Sequence, residues 1–216
     1  MSRRTLPKLD PALDLSRSLQ LPGHLPQPWD QRVLFGRQAP LEIEVGSGKG
    51  LFLSQAAKAR PGHDFLGIEL AQKYARYSAA RLAKQQLANA CMVHGDAEKI
   101  FAEILPPDIA AAVHVYFPDP WWKARHRKRR VMNSHFLLNA VRVLVPGGTL
   151  HFWTDVEEYY RSAVELIVAE IPLAGPFEVQ EHTAEHNLDF RTHFERRMRL
   201  HGEAVYRTEF RKAARE

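Results

Sequence analysis

Cysteine is almost missing from this 216-residue chain: Cys91 stands alone. An internal disulfide and a cysteine-based zinc cluster are thereby excluded. Long apolar runs are missing too, and nothing approaches the roughly 20 residues of a membrane span. Residues 1–18, MSRRTLPKLDPALDLSRS, carry arginine with no apolar stretch behind it, which is not a secretory signal. A cytoplasmic location is the expectation. There are no internal repeats and no low-complexity tract. Acidic charge is in deficit, with 25 Asp and Glu against 30 Lys and Arg, a formal net charge of +5. Much of the excess lies between positions 123 and 130, where a local cluster can meet a phosphate backbone. The remaining composition, 45% hydrophobic and 25% charged, is ordinary for a globular protein. The length suits one domain with a modest extension. We expect a partly ordered arm over residues 1–28, rich in Pro, Leu and charge, and a single domain over 29–216.

From residue 41 a regular alternation sets in. Strand patterns at 41–45 (LEIEV), 64–70, 90–96, 111–117 and 149–155 are separated by helical spacing at 51–59, 72–88, 97–105 and 133–144, and a further helix follows at 156–171. The run 203–212 alternates like a late antiparallel strand. Strands alternating with helices imply a parallel sheet covered on both faces, and such a sheet binds ligands at the carboxyl ends of its strands. Each of the five strands has a carboxylate at or next to its end: Glu44, Glu69, Asp96, Asp119 and Asp155. Any one of them could be a helix cap; five in register point to one shared rim.

The loop EVGSGKG places Gly46, Gly48 and Gly50 after the first of these strands. The spacing is neither the dinucleotide fingerprint nor a Walker loop. Glu44 beside it disfavours a pyrophosphate and suits a cationic group such as the amine of a methionine moiety. Glu69, at the end of the next strand, stands where an acid holds a ribose diol. Asp96 and Ala97, in GDA, would face an adenine. Amino acid, ribose and adenine without phosphate describe S-adenosylmethionine. This order, with the VPGG turn at 145–148, resembles class I methyltransferases. That resemblance implies an α/β, Rossmann-like fold: a mostly parallel seven-stranded sheet with helices on both faces and a late antiparallel strand.

The stretch 117–130, FPDPWWKARHRKRR, sets Asp119 between two prolines and follows it with six Lys or Arg in eight residues. Pro118 and Pro120 fix φ and deny ladder bonds, so the segment reads as a rigid loop that presents its carboxylate at the tip. It resembles the F-P-D-P-W motif and basic run of the TrmB-type tRNA (guanine-N7-)-methyltransferase family. GIEL at 67–70, GDA at 95–97, TD at 154–155 with EEY behind it, and THFERR at 192–197 match that family as well. The chain departs from it at Trp122, Val156, His193 and Met198.

The resemblance implies methyl transfer from S-adenosylmethionine to N7 of a guanosine in the tRNA variable loop. It also implies a cofactor site at Glu44, Glu69, Asp96 and Asp119, with Asp119 catalytic. Lys123, Asp155, Thr192, His193, Phe194 and Glu195 match substrate contacts. Arg125, His126, Arg127, Lys128, Arg129 and Arg130 match the RNA-contacting run. Guanine N7 has a free lone pair, so neither a strong base nor a metal is required; positioning and a local negative field suffice. Asp119 would either accept from the guanine edge or stabilise charge developing on the ring. Trp121 and Trp122 would stack a base or pack into the core. HTAEH at 182–186 spells a zinc-hydrolase pattern, but it follows a strand-like run where that motif needs a helix, so no metal is expected. The chain would work as a monomer or homodimer without an obligate protein partner. Two other readings stay open: a methyltransferase for another RNA or a small molecule, and a catalytically silent RNA-binding subunit.

Overall fold

The structure, a computed structural model, describes residues 6–179, 190 and 192–215. In chain order its strands are β1 (Leu19–Gln20), β2 (Leu41–Val45), β3 (Asp64–Glu69), β4 (Ala90–His94), β5 (Ala110–Tyr116), β6 (Leu144–Thr154), β7 (Ala174–Glu178) and β8 (Tyr206–Arg211). They form one sheet in the order β1-β4-β3-β2-β5-β6-β8-β7. The pairs from β1 to β6 are parallel; β8 lies antiparallel to both β6 and β7. The expected seven strands are therefore eight among the described residues. The arm supplies an edge strand, with Leu19 opposite Met92 and the Met92 N–H donating to the Ser18 carbonyl at 2.9 Å. Two residues are too few to show an alternation, so this strand has no sequence signature. The arm also contributes Leu25 to the main core.

The helices are α1 (Gln31–Phe35), α2 (Leu51–Ala59), α3 (Gln72–Lys84), α4 (Ala97–Lys99), α5 (Ser134–Val143), α6 (Glu157–Glu170) and α7 (His193–Leu200). A π-helical turn, Ile100–Ile104, continues α4. Period-2 alternation sorts the central strands onto two faces. Ile43, Val45, Val113 and Val115 pack with Phe136, Leu137 and Tyr159 of α5 and α6. On the other face Tyr116 and Trp153 pack with Phe52 and Leu53 of α2 and with Ala75 and Ala79 of α3. Cys91 is buried in β4, and burial pushes its thiol up to about 12. Among the described residues no helix is long and apolar enough to cross a membrane, and no three His, Cys, Asp or Glu are grouped to hold a metal ion. Residues 182–186, with the zinc-like spelling, lie outside the described residues.

The α2 face is not purely apolar. Glu42, buried in β2, meets His114 Nε2 at 2.8 Å and His63 Nδ1 at 2.8 Å, and pairs with Arg60. His114 Nδ1 lies 2.9 Å from the Tyr116 hydroxyl. Burial alone would raise the Glu42 carboxyl. The hydrogen bond and charge of His114, the charge of Arg60 and the hydrogen bond to His63 outweigh it and lower it to about 2. A carboxylate held low stabilises the fold above its unfolded value, and that contribution is lost as pH falls through the folded value. Glu42→Gln should therefore cost about 3 kcal/mol near neutrality, because it leaves the buried His114 without its carboxylate partner. In urea titrations the gap to the wild type should narrow as pH drops from 4.5 towards about 2.

Candidate active site

β2 pairs with β3 on one side and β5 on the other, both parallel. The chain runs outward from β2 through β3 to β4, then returns to β5 and β6 on the opposite flank. The sheet thus reverses direction between β2 and β5, and a crevice opens beyond their carboxyl ends. Two segments border it: the glycine loop after β2 and the PDP turn after β5.

Gly46, Gly48 and Gly50 all take left-handed backbone angles, with φ of 75°, 52° and 64°. A Cβ on Gly50 would lie 1.9 Å from Ser78 Oγ, so α3 packs directly against the loop. Gly67, inside β3, serves the same loop from below. A Cβ there would meet Ser47 Oγ at 2.7 Å, Met92 Cε at 2.7 Å and Leu53 Cδ2 at 2.8 Å. The sequence shows this glycine only as part of GIEL; its reason is close packing under Ser47. The loop is pinned by hydrogen bonds from the Gly46 and Ser47 N–H groups to the Ile68 carbonyl, at 2.8 and 3.2 Å.

Glu69 ends β3 with both oxygens engaged. Oε2 accepts from the Gly48 N–H and Oε1 from the Ala71 N–H, each at 2.8 Å. Glu44 is 3% exposed, and its Oε2 is buried without a hydrogen-bond partner. Burial pushes its carboxyl up to about 8; a Ser47 hydrogen bond opposes this, and the charge of Glu69 adds to it. Asp96 caps α4 by accepting from the Glu98 N–H at 2.9 Å, with Ala97 as the first helical residue. Asp155 lies just beyond β6, half-buried, and burial foremost raises its carboxyl. A buried acceptor lacking a donor beside a pinned glycine loop is chemistry suited to a cationic group, and Glu69 with Asp96 extends the acidic rim along the next two strand ends.

Across the crevice, Asp119 is exposed between Pro118 and Pro120. The turn is strained at both ends: Phe117 and Trp121 have φ of 49° and 46°, left-handed values uncommon for residues other than glycine. The Phe117 N–H donates to the Trp153 carbonyl at 2.8 Å, and its ring lies 5.1 Å from that of Phe194 in α7. Neither tryptophan enters the core. Trp121 is half-buried, with Arg129 5.1 Å over its ring and His126 edge-on at 5.9 Å; Trp122 is 69% exposed.

The basic run forms a 3-10 helix over Ala124–Arg129. Lys123, Arg125, Arg127, Lys128 and Arg129 are exposed and His126 is half-buried. Arg130 differs. It is 8% exposed, and its guanidinium donates to the Pro120 carbonyl and to Glu158. This separates Arg130 from the cations open to a phosphate backbone, with which the sequence grouped it.

The segment 192–195 divides similarly. Thr192 caps α7 by accepting from the Glu195 N–H at 2.9 Å. Glu195 is 2% exposed and pairs with Arg199 and Arg207 at 3.5 and 3.7 Å. Arg207 in turn lies 5.0 Å over the Trp153 ring. Phe194 carries α7 against the Asp119 turn; the side chain of His193 is outside the described residues. The arrangement uses Thr192 and Glu195 to hold the helix in place. Arg207 escaped the sequence reading, and Glu158 and Gly67 entered it only within the EEY and GIEL matches, because their partners lie far away along the chain.

A family model described as a putative methyltransferase matches residues 38–208. The tRNA (guanine-N(7)-)-methyltransferase of Rhodopirellula baltica is 50% identical over 218 residues, covering 98% of this chain and 80% of that protein. The protein of the same name from Bordetella parapertussis is 40% identical over 147 residues, covering 68% of this chain and 58% of that one. Among solved structures, a mutant 16S rRNA (adenine(1408)-N(1))-methyltransferase from Catenulisporales acidiphilia, with cosubstrate SAM, shares the fold. It aligns with a TM-score of 0.57 at 18% identity, covering 82% of this chain and 88% of that one. The chain belongs to the tRNA (guanine-N(7)-)-methyltransferase family.

Proposed function

We propose that this protein methylates N7 of a guanosine in tRNA, in the variable loop, with S-adenosylmethionine as donor. The observation that carries the reading is the pairing of an exposed carboxylate on a strained turn, Asp119, with an exposed cationic run directly behind it, in a chain 50% identical to a tRNA (guanine-N(7)-)-methyltransferase over 98% of its length. When bound, the cofactor supplies an electrophilic methyl group on a positively charged sulfur. Glu44 would hold its amine, the glycine loop its backbone-facing side, Glu69 the ribose and Asp96 with Ala97 the adenine. Buried Oε2 of Glu44 supports this, since a carboxylate oxygen without a donor gains most from a cation.

The remaining work falls to the turn. Guanine N7 needs no deprotonation, so the residues have to orient the base and favour positive charge moving onto it. Asp119 does one or both: it accepts from the guanine edge, or its charge stabilises the methylated ring. Lys123, Asp155, His193 and Phe194 would frame the base, with Thr192 and Glu195 holding their helix in place. Arg125, His126, Arg127, Lys128 and Arg129 would meet phosphates without reading sequence. Trp122, exposed beside the turn, offers a stacking face. The enzyme would act in the cytoplasm, with tRNA as its macromolecular partner.

The direct test is transfer of radiolabelled methyl to bulk tRNA followed by nucleoside analysis, which should return N7-methylguanosine. Asp119→Asn keeps the size of the side chain but removes the charge and exchanges an acceptor for a donor. It should lower the single-turnover rate at saturating cofactor and tRNA by about 100- to 1000-fold. Near-full activity would reduce Asp119 to a turn cap.

Glu44 generates a second expectation. Its raised pKa means the carboxyl holds a proton below about pH 8, and folding stability from that protonated form is lost as pH rises from 4.5 towards 8. A cationic ligand needs the carboxylate, so binding must expel the proton. S-adenosylmethionine affinity should rise by up to about tenfold per pH unit over roughly pH 6 to 7.5, below the range where an α-amine itself deprotonates. Calorimetry in buffers of different ionisation enthalpy should count close to one proton released. Glu44→Gln should flatten the dependence; an unchanged slope would place the amine elsewhere.

A further inference from the structure

Arg130 closes the basic run, yet it is 8% exposed and three of the five N–H donors of its guanidinium are already engaged within the protein. Nε donates to the Pro120 carbonyl at 2.8 Å, and Nη1 and Nη2 donate to the two oxygens of Glu158 at 3.2 and 2.7 Å. The group lies 4.5 Å over the ring of Tyr159, whose hydroxyl accepts from the Met132 N–H at 3.2 Å. Its own backbone is tied as well: the Arg130 carbonyl accepts from Asn133 Nδ2 at 2.9 Å, and the same amide nitrogen donates to Glu98, two residues beyond Asp96. A bidentate, stacked arginine of this kind is a fixed structural fork.

What the fork holds is the turn that carries Asp119. Two prolines strip that turn of backbone donors, so few bonds define it. At its entry the Phe117 N–H is bound to the Trp153 carbonyl. At its exit the carbonyl of Pro120, the residue after Asp119, is bound to Arg130. Both flanking residues, Phe117 and Trp121, sit in the left-handed region. Strain of that sort persists only where the surroundings hold it.

We propose that Arg130 is a positioning residue for methyl transfer: braced by Glu158 of α6, it grips the Pro120 carbonyl and so sets where Asp119 stands. The assignment rests on the reading of Asp119 as the group that meets guanine. It removes Arg130 from the phosphate-contacting set and leaves that role to the exposed cations before it. Arg127 belongs to both worlds, exposed but 3.5 Å from Glu158, so the brace also touches the run that would receive RNA.

Three measurements on the full-length chain decide this. The first is hydrogen exchange over residues 116–123 in the protein alone. Arg130→Ala should speed exchange there, and Lys128→Ala, which leaves Arg129 stacked on Trp121, should not. The second is the single-turnover rate at saturating cofactor and tRNA, which Arg130→Ala should lower by up to about 100-fold, the scale of a misplaced reacting group. The third is the log–log salt slope of tRNA binding. It should stay at the wild-type value in Arg130→Ala and fall by somewhat under one unit in Arg129→Ala, as for one lost phosphate contact. Glu158→Ala serves if Arg130→Ala does not fold, since the Glu158 side chain is 47% exposed. It should lower the saturating rate and speed the same exchange without weakening tRNA binding, because it removes a negative charge. A phosphate-contact role predicts the opposite for both variants: wild-type exchange and saturating rate, with a reduced slope in Arg130→Ala. Unchanged exchange over 116–123 overturns the proposal whatever the substrate. Failure of the wild type to methylate tRNA overturns the functional reading instead, and the exchange experiment still decides whether Arg130 holds the turn.

Discussion

The hydrogen bonding of β2 on both flanks by strands that run in its own direction is the constraint from which the site follows. A parallel pair cannot be closed by a tight hairpin, so each connection must cross a face of the sheet as a helix. The chain builds outward on one side through β3 and β4 and then on the other through β5 and β6. Only between β2 and β5 do the two loops at the carboxyl edge lead away from each other. The glycine loop and the PDP turn, far apart along the chain, are therefore the two lips of one crevice.

Opposite electrostatic demands meet at that crevice and are kept apart by burial. The side proposed for the cofactor is acidic and partly closed to water. Glu44 Oε2 sits there without a donor and burial raises the carboxyl pKa, a state that costs stability and that a cationic ligand would relieve. The side proposed for RNA is cationic and open, on a short exposed helix. Asp119 lies where the two meet. A carboxylate amid arginines would ordinarily collapse into a salt bridge, but the described ion pairs leave it out: Arg127 and Arg130 turn to Glu158 instead.

Rigidity beneath the site has polar sources as well as apolar ones. Glu42 and His114 bury a hydrogen-bonded chain between β2 and β5, the two strands that border the crevice. On the far side, Glu195, Arg207 and Trp153 join α7 to β8 and β6, and Phe194 carries that support to Phe117. The antiparallel end of the sheet thus steadies the entry to the Asp119 turn, while Arg130 steadies its exit.

Much of this protein was legible before any coordinates. Alternation of period 2 and spacing of three to four residues mark β2 to β6 and their helices, because those patterns are local consequences of burial on one face. The glycines, the acids at the strand ends and the FPDPWW stretch with its basic run are local too, and they carried the family resemblance. Contacts between distant residues left no such trace. β1 is two residues long, and its pairing with β4 makes the sheet eight-stranded rather than seven. Gly67 is explained only by Ser47, Leu53 and Met92 closing on it. Glu195 reads as a polar residue in a motif and proves to be buried under Arg207. Arg130 is the clearest case: in sequence it is the last of a row of cations, and only packing against Glu158, Tyr159 and Pro120 turns it inward. Charge pattern is set by composition along the chain, but whether a charge faces water or another residue depends on which distant elements the fold brings beside it.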